Sequence, residues 1–144
     1  MKLSTYFTFE ELTVSGYAAR HGISNIPPQR ELENLKHTAT QLDRVRALLG
    51  CPVLVSSGYR CPAVNQAIGG ANNSQHMMGQ AVDFTAPGFG NPEAVARAIA
   101  SSHIPFDRLI LEYGQWVHVS FTTNNPRGEV LTITRDGTSK GLPK

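Results

Sequence analysis

The longest regular pattern in the chain lies between Gln29 and Leu49, where Leu32, Leu35, Ala39, Leu42, Val45 and Leu49 recur at steps of three or four. That spacing gathers them on one stripe and predicts a long core helix closing at Gly50, a residue free to take the left-handed backbone that ends helices. Two shorter helices are marked by their first turns. Thr8 followed by Glu11 forms a capping-box pattern and opens a helix near residues 8–15, after which a loop runs to Pro27-Pro28. Asn91 followed by Pro92 places a capping side chain before a first-turn proline and opens a helix running to about Ser102. Elsewhere the period drops to two. Pro52-Val53-Leu54-Val55-Ser56 reads as a buried strand. In Ala81-Val82-Asp83-Phe84, Val82 and Phe84 share one face while Ala81 and Asp83 take the other. Trp116 to Phe121 repeats this, with Val117, Val119 and Phe121 on the apolar face and Trp116, His118 and Ser120 opposite. Val130 to Thr134 is expected as a last edge strand, and residues 136–144 as a loose tail.

Composition adds bounds. With 144 residues, 40% of them hydrophobic, the chain can bury one ordinary core without staples, and no repeat, low-complexity tract or linker divides residues 1–144 into more than one domain. The net charge of +2 comes without a Lys/Arg cluster, which argues against a nucleic-acid partner. No window of about 18 apolar residues is present, and Met1 to Thr5 lacks the apolar run of a signal peptide, so the expectation is synthesis in the cytoplasm and no membrane insertion. Cys51 and Cys61 bracket Pro52 to Arg60. Reversal of the chain after Val55 would let them bridge, whereas a cytosolic origin favours free thiols.

The chemistry concentrates in Ser74 to Asp83 and in Trp116-Val117-His118-Val119. His76 and Asp83 with His118 on a later strand supply two imidazole nitrogens and one carboxylate oxygen, the donor set of a catalytic zinc that keeps a fourth position for water. Asp83 and His118 stand at polar positions of strands anchored by apolar neighbours. His76 is expected on a loop that Gly79 turns sharply back over Asp83. A helix is the rival geometry, since residues seven apart share a helical face, but Gly79 and the Val/Phe alternation favour loop then strand. His21, His37 and His103 have no such context and read as structural, and Met77 and Met78 as padding.

The run Ser-x-His-x-x-Gly-x-Ala-x-Asp from Ser74 to Asp83, with the later Trp-Val-His, resembles the zinc D-Ala-D-Ala carboxypeptidases and related phage endolysin peptidases. Ser56-Ser57-Gly58-Tyr59-Arg60, Asn65 through Gly69-Gly70, and the opening Phe7 to Leu12 are similar to the same family, so the likeness spans most of residues 4–121. It implies an α+β fold of the hedgehog/DD-peptidase kind, a small mostly antiparallel sheet packed with helices. It also implies one zinc ion held by His76, Asp83 and His118, and a peptidoglycan peptide as substrate for a monomeric enzyme. A wall-cutting enzyme without an export signal fits a phage lysis protein or a virion component, and a mildly basic surface suits an anionic wall.

Such a peptidase needs a base for the metal-bound water. Many relatives carry an acid three residues before the last histidine, where this chain has Gln115, which exchanges no proton. Glu112, six residues before His118, resembles the placement in the hedgehog-like branch. A three-residue loop Tyr113-Gly114-Gln115 would set Glu112 opposite Trp116 and on the face of His118; a two-residue loop would put it on the wrong face. Arg60 is the candidate anchor for a substrate carboxylate, with a structural role capping a turn as its alternative. Tyr59, Tyr113 and Trp116 are expected to wall the cleft, and Ser74 to support a ligand or its loop. Both carboxypeptidase and endopeptidase chemistry remain open at this level, as do a zinc-stabilised binding module and a virion protein whose metal serves only folding.

Overall fold

The computed structural model describes residues 1–144 and shows the α+β architecture. Its elements are α1 (Phe9–Thr13), α2 (Gly16–Arg20), α3 (Gln29–Leu49), β1 (Leu54–Ser57), α4 (Pro62–Ala67), a 3₁₀ turn (Gln75–Met78), β2 (Ala81–Thr85), α5 (Pro92–Ala100), β3 (Arg108–Glu112), β4 (Trp116–Ser120), β5 (Glu129–Thr134) and β6 (Gly137–Lys140). Six strands form one sheet in the order β1-β2-β4-β3-β5-β6, antiparallel throughout except for the parallel β3–β5 pair.

Local chemistry explains the helices. Thr8 accepts from the Glu11 amide while Glu11 reaches back to the Thr8 amide, the reciprocal box that opens α1. Asn91 accepts from the Ala94 amide at 2.8 Å and Pro92 occupies the first turn of α5. Helix α3 buries Leu35, Thr38, Ala39, Leu42, Val45 and Leu49 on one stripe, and Gly50, at φ 66°, ends it with its amide on the Arg46 carbonyl. That stripe packs with α5 over one face of the sheet, where Val82, Phe84, Leu109, Val117, Val119 and Phe121 join it in the core. Burying side chains of this size stabilises by about 1.5–3 kcal/mol each, so the apolar face fixes which way every strand is turned. The polar face is thereby fixed as well, and it carries Asp83, Glu112 and His118.

Four expectations need correction. The stretch expected as a loop between the first helix and Pro27-Pro28 holds a second short helix, α2, opened by Ser15 accepting from the Ala18 amide. The first strand begins at Leu54, not Pro52, and is a half-exposed sheet edge rather than a buried strand; Leu54 is 51% exposed. An edge position has no second neighbour to cover it, and Pro52 has no amide to give a ladder. Strand β5 lies inside the sheet rather than at its edge, between β3 and β6. Residues 136–144 do not form a loose tail, because Gly137–Lys140 pairs antiparallel with Thr134 to Leu131, Leu142 packs against the core, and Arg97 donates to the Pro143 carbonyl. No helix is long and apolar enough to cross a membrane.

Candidate metal centre and its cavity

Strand register places the candidate ligands. Asp83 on β2 pairs with His118 on β4, and His118 pairs with Ile110 on β3, so the carboxylate and the imidazole are direct cross-strand neighbours on the polar face. His76 arrives from a 3₁₀ turn rather than an open loop. Ser74 caps this turn by accepting from the His76 amide at 3.2 Å, and Gly79, at φ 73°, closes it. The glycine is required twice over, because a Cβ there would also sit 2.4 Å from the Glu31 carbonyl oxygen of α3. Asn34 donates to the Met78 carbonyl at 2.9 Å and Thr38 to the Gly79 carbonyl at 2.7 Å, which locks the turn to α3.

The three side chains converge. Nε2 of His76 lies 3.2 Å from Oδ1 of Asp83, Nδ1 of His118 lies 2.9 Å from the same oxygen, and all three groups are buried. One ligand atom from each falls within 4.8 Å of the others. The chemistry of the set fits a cation. His76 Nδ1 stands 2.7 Å from the Gly58 carbonyl, which can only accept, so that nitrogen carries a proton and a neutral ring turns the Nε2 lone pair toward the carboxylate. Lone pairs facing one another across such short distances require a positive charge between them. Burial pushes the Asp83 carboxyl up, but where a proton takes the place of the cation on the rings, hydrogen bonds from His118 and His76 and their charge outweigh it and hold the group well below the usual carboxylate range.

Beside these ligands a cavity of about 330 Å³ opens onto the polar sheet face, walled by the segment from Ile68 to His76. Glu112 and Trp116 line it, and Glu112 Oε1 lies 3.9 Å from His118 Nδ1. The hairpin has the three-residue loop, with Glu112 opposite Trp116, and its turn puts both Tyr113 (φ 56°) and Gly114 (φ 63°) in the left-handed region. Burial, aided by the Asp83 charge, pushes the Glu112 carboxyl up, against the pull of His118 and Arg60. Gln115 does not line this cavity. The chain belongs to the peptidase M15 family. The family matches residues 5–120, and it is zinc-dependent. No curated protein matches the chain.

As a peptidase M15 domain the chain also places the supporting residues. Arg60 lines the cavity, but its Nε donates to Ser57 at 3.1 Å, one terminal nitrogen to Asn65 Oδ1 at 3.0 Å and the other reaches Asp83 Oδ2 at 3.4 Å. Burial lowers its pKa, opposed by the charges of Asp83 and Glu112. Tyr59 does not wall the cavity. It is 3% exposed within the apolar core, because adjacent residues of extended chain point opposite ways and Arg60 takes the cavity side. Trp116 lines the cavity, whereas Tyr113 does not wall it as expected but lies exposed at the hairpin tip, its ring tilted against Trp116 at 5.6 Å between centroids; the buried Trp116 Nε1 has only Glu112 as a neighbouring acceptor. Cys51 and Cys61 are free thiols.

Several contributors had no mark in the sequence. The Gly58 carbonyl that orients His76 is backbone, and a side chain at Gly58 would strike the Leu12 carbonyl at 2.3 Å. Asp107, buried beside the 3₁₀ turn, accepts from Gln75 Nε2 at 3.0 Å and pairs with Arg127 at 2.6 Å. Hydrogen bonds from Arg127 outweigh burial and bring the Asp107 carboxyl down to about 2.

Proposed function

We propose that this metallopeptidase uses zinc to hydrolyse a peptide bond in the stem peptide of peptidoglycan. The observation that carries the reading is the convergence of His76, Asp83 and His118 at the floor of a cavity into which the Glu112 carboxylate also projects. His76, Asp83 and His118 would hold the metal, which when bound supplies Lewis acidity and a water of lowered pKa. Glu112 takes the proton of the attacking water and returns it to the leaving amine. Its raised pKa suits both halves of that duty, since a base poised closer to neutrality accepts and releases a proton with less bias. Arg60 holds Asp83 in place and leaves its remaining N–H groups in the cavity wall, and Ser74 fixes the turn that presents His76. Trp116 directs its buried indole N–H toward the Glu112 carboxylate and so opposes the upward push of burial on that group.

The resemblance to phage wall-lytic enzymes supports a bacterial wall as the place of action, by a monomer released at host lysis or carried on a virion. The test is incubation of the purified protein with peptidoglycan, with zinc and with a chelator, and mass spectrometry of the released fragments. Free D-alanine identifies a carboxypeptidase, and new amino termini within the stem identify an endopeptidase. Absence of any zinc-dependent product overturns the proposal.

A further inference from the structure

Arg108 opens β3 on the face it shares with Ile110 and Glu112, and all three line the cavity that holds His76, Asp83 and His118. Ile110 pairs with His118, Arg108 with Ser120 and Glu112 with Trp116. At about 3.4 Å per residue, Arg108 and Glu112 therefore stand about 7 Å to either side of the ligand level. A guanidinium marks one end of the cavity floor and a carboxylate the other.

The two arginines of the wall differ in what they have left to give. Arg60 has spent three N–H groups on Ser57, Asn65 and Asp83, and its side chain is 14% exposed. Arg108 makes a single contact, Nε to Glu129 Oε1 at 2.8 Å, in a pair whose side chains are 40% and 37% exposed. Such an exposed pair contributes about 0–1 kcal/mol, so it anchors the stem of Arg108 without saturating it. Both terminal nitrogens lack a protein acceptor, and two parallel N–H groups of a guanidinium match a carboxylate in shape and charge.

Resting on the peptidase reading of this cavity, we infer that Arg108 is a specificity-determining residue that binds a substrate carboxylate on the side of the scissile bond away from Glu112. An extended peptide advances about 3.3–3.6 Å per residue, which places that carboxylate one to two residues from the bond cut. The preferred substrate is thus an anionic peptide, and stem peptides carry such groups both at the C-terminus and on the γ-linked D-glutamate.

The chain's single tryptophan, Trp116, lines the same cavity, so ligand entry can be followed by its fluorescence without turnover. Zinc-loaded protein is titrated with L-Ala-γ-D-Glu-L-Lys-D-Ala as the free acid and with its C-terminal amide, its glutamyl amide and the diamide. A charge-assisted pair corresponds to about tenfold in affinity, so the wild type should bind the free acid about tenfold tighter than the diamide, and the two monoamides identify the carboxylate responsible. Arg108→Gln should bring that ratio to within about twofold while leaving diamide affinity and zinc content unchanged, and Arg108→Lys, which keeps charge but loses the fork, should give an intermediate ratio. An undiminished preference in either variant, or no preference in the wild type, overturns the inference. Hydrolysis of the same peptides is scored separately by mass spectrometry. An Arg108-dependent preference without hydrolysis removes the peptidase reading and keeps the subsite, whereas hydrolysis without the preference removes the subsite alone.

Discussion

Replacing Gly79 with alanine should damage the metal site without touching a ligand. A left-handed backbone at a residue bearing a Cβ costs about 1–2 kcal/mol by itself. At this position the Cβ also meets the Glu31 carbonyl oxygen at 2.4 Å and the Leu35 amide nitrogen at 3.3 Å, both in the backbone of α3. Opening the first contact to even 3.0 Å means moving the turn by about 0.6 Å, and the Asn34–Met78 and Thr38–Gly79 hydrogen bonds oppose that movement. Loss or distortion of one such bond adds about 1 kcal/mol, so the expected destabilisation is about 2–4 kcal/mol. Metal-ligand distances tolerate only about 0.2 Å, so His76, in the same turn, should lose alignment and zinc affinity should fall at least about tenfold. Gly114→Ala is the control. Gly114 has a similar φ of 63° with nothing within 4 Å of its Cβ position, and should cost only about 1 kcal/mol with zinc affinity unchanged. Urea unfolding of the zinc-free proteins and competitive zinc titration measure the two quantities. Equal costs for the two variants, with equal zinc affinity, would refute the view that close approach of α3 sets the His76 turn.

Glu112→Gln should retain stoichiometric zinc and lose at least about a hundredfold in kcat, checked by metal analysis beside peptide hydrolysis; near-normal turnover would falsify its role as base. His118→Ala should lose metal and activity together, because two ligands hold zinc far more weakly than three, and full zinc occupancy in dialysed protein would count against the site. Asp107→Asn should destabilise by about 1–2 kcal/mol at neutral pH, the lower end reflecting screening at the half-exposed Arg127. Because the Asp107 carboxyl is depressed from 3.8 to about 2 in the folded protein, its contribution is present above about pH 4 and is lost as pH falls toward 2. The gap between wild type and Asp107→Asn in urea midpoints should accordingly close over that window, and a gap independent of pH would show that Asp107 acts through packing rather than charge.

The parts of the fold that the chain announced were those with long or chemically distinctive patterns. Six apolar positions at helical spacing fixed α3, and a capping box and an Asn-Pro pair fixed the starts of α1 and α5. The meeting of Asp83 and His118 was legible because apolar neighbours flank both in their strands, which leaves both on the polar face, and Gly79 marked the turn that brings His76 to them. Strand β6 was not legible, since Gly137-Thr138-Ser139-Lys140 has no apolar alternation and owes its form to backbone pairing with β5 at an edge. The inner position of β5 was equally hidden, because parallel pairing with β3 joins segments about twenty residues apart. Tyr59, expected to wall the cleft, lies in the core instead, because alternation along extended chain turns it away from the side that Arg60 takes. Arg108 gave no local signal, since only the register of β3 against β4 brings it to the floor shared with Glu112.

The odd number of residues between Glu112 and Trp116 has a bearing on how this architecture diverges. Asp83 and His118 are held to one another across β2 and β4, independently of the hairpin tip. An indel of one residue at Tyr113 to Gln115 would rotate Glu112 to the apolar side while sparing all three metal donors. A hydrolase and an inert zinc scaffold are in that sense a single codon apart, and a descendant that kept the ion while abandoning chemistry would show the change in tip length before any loss of ligands.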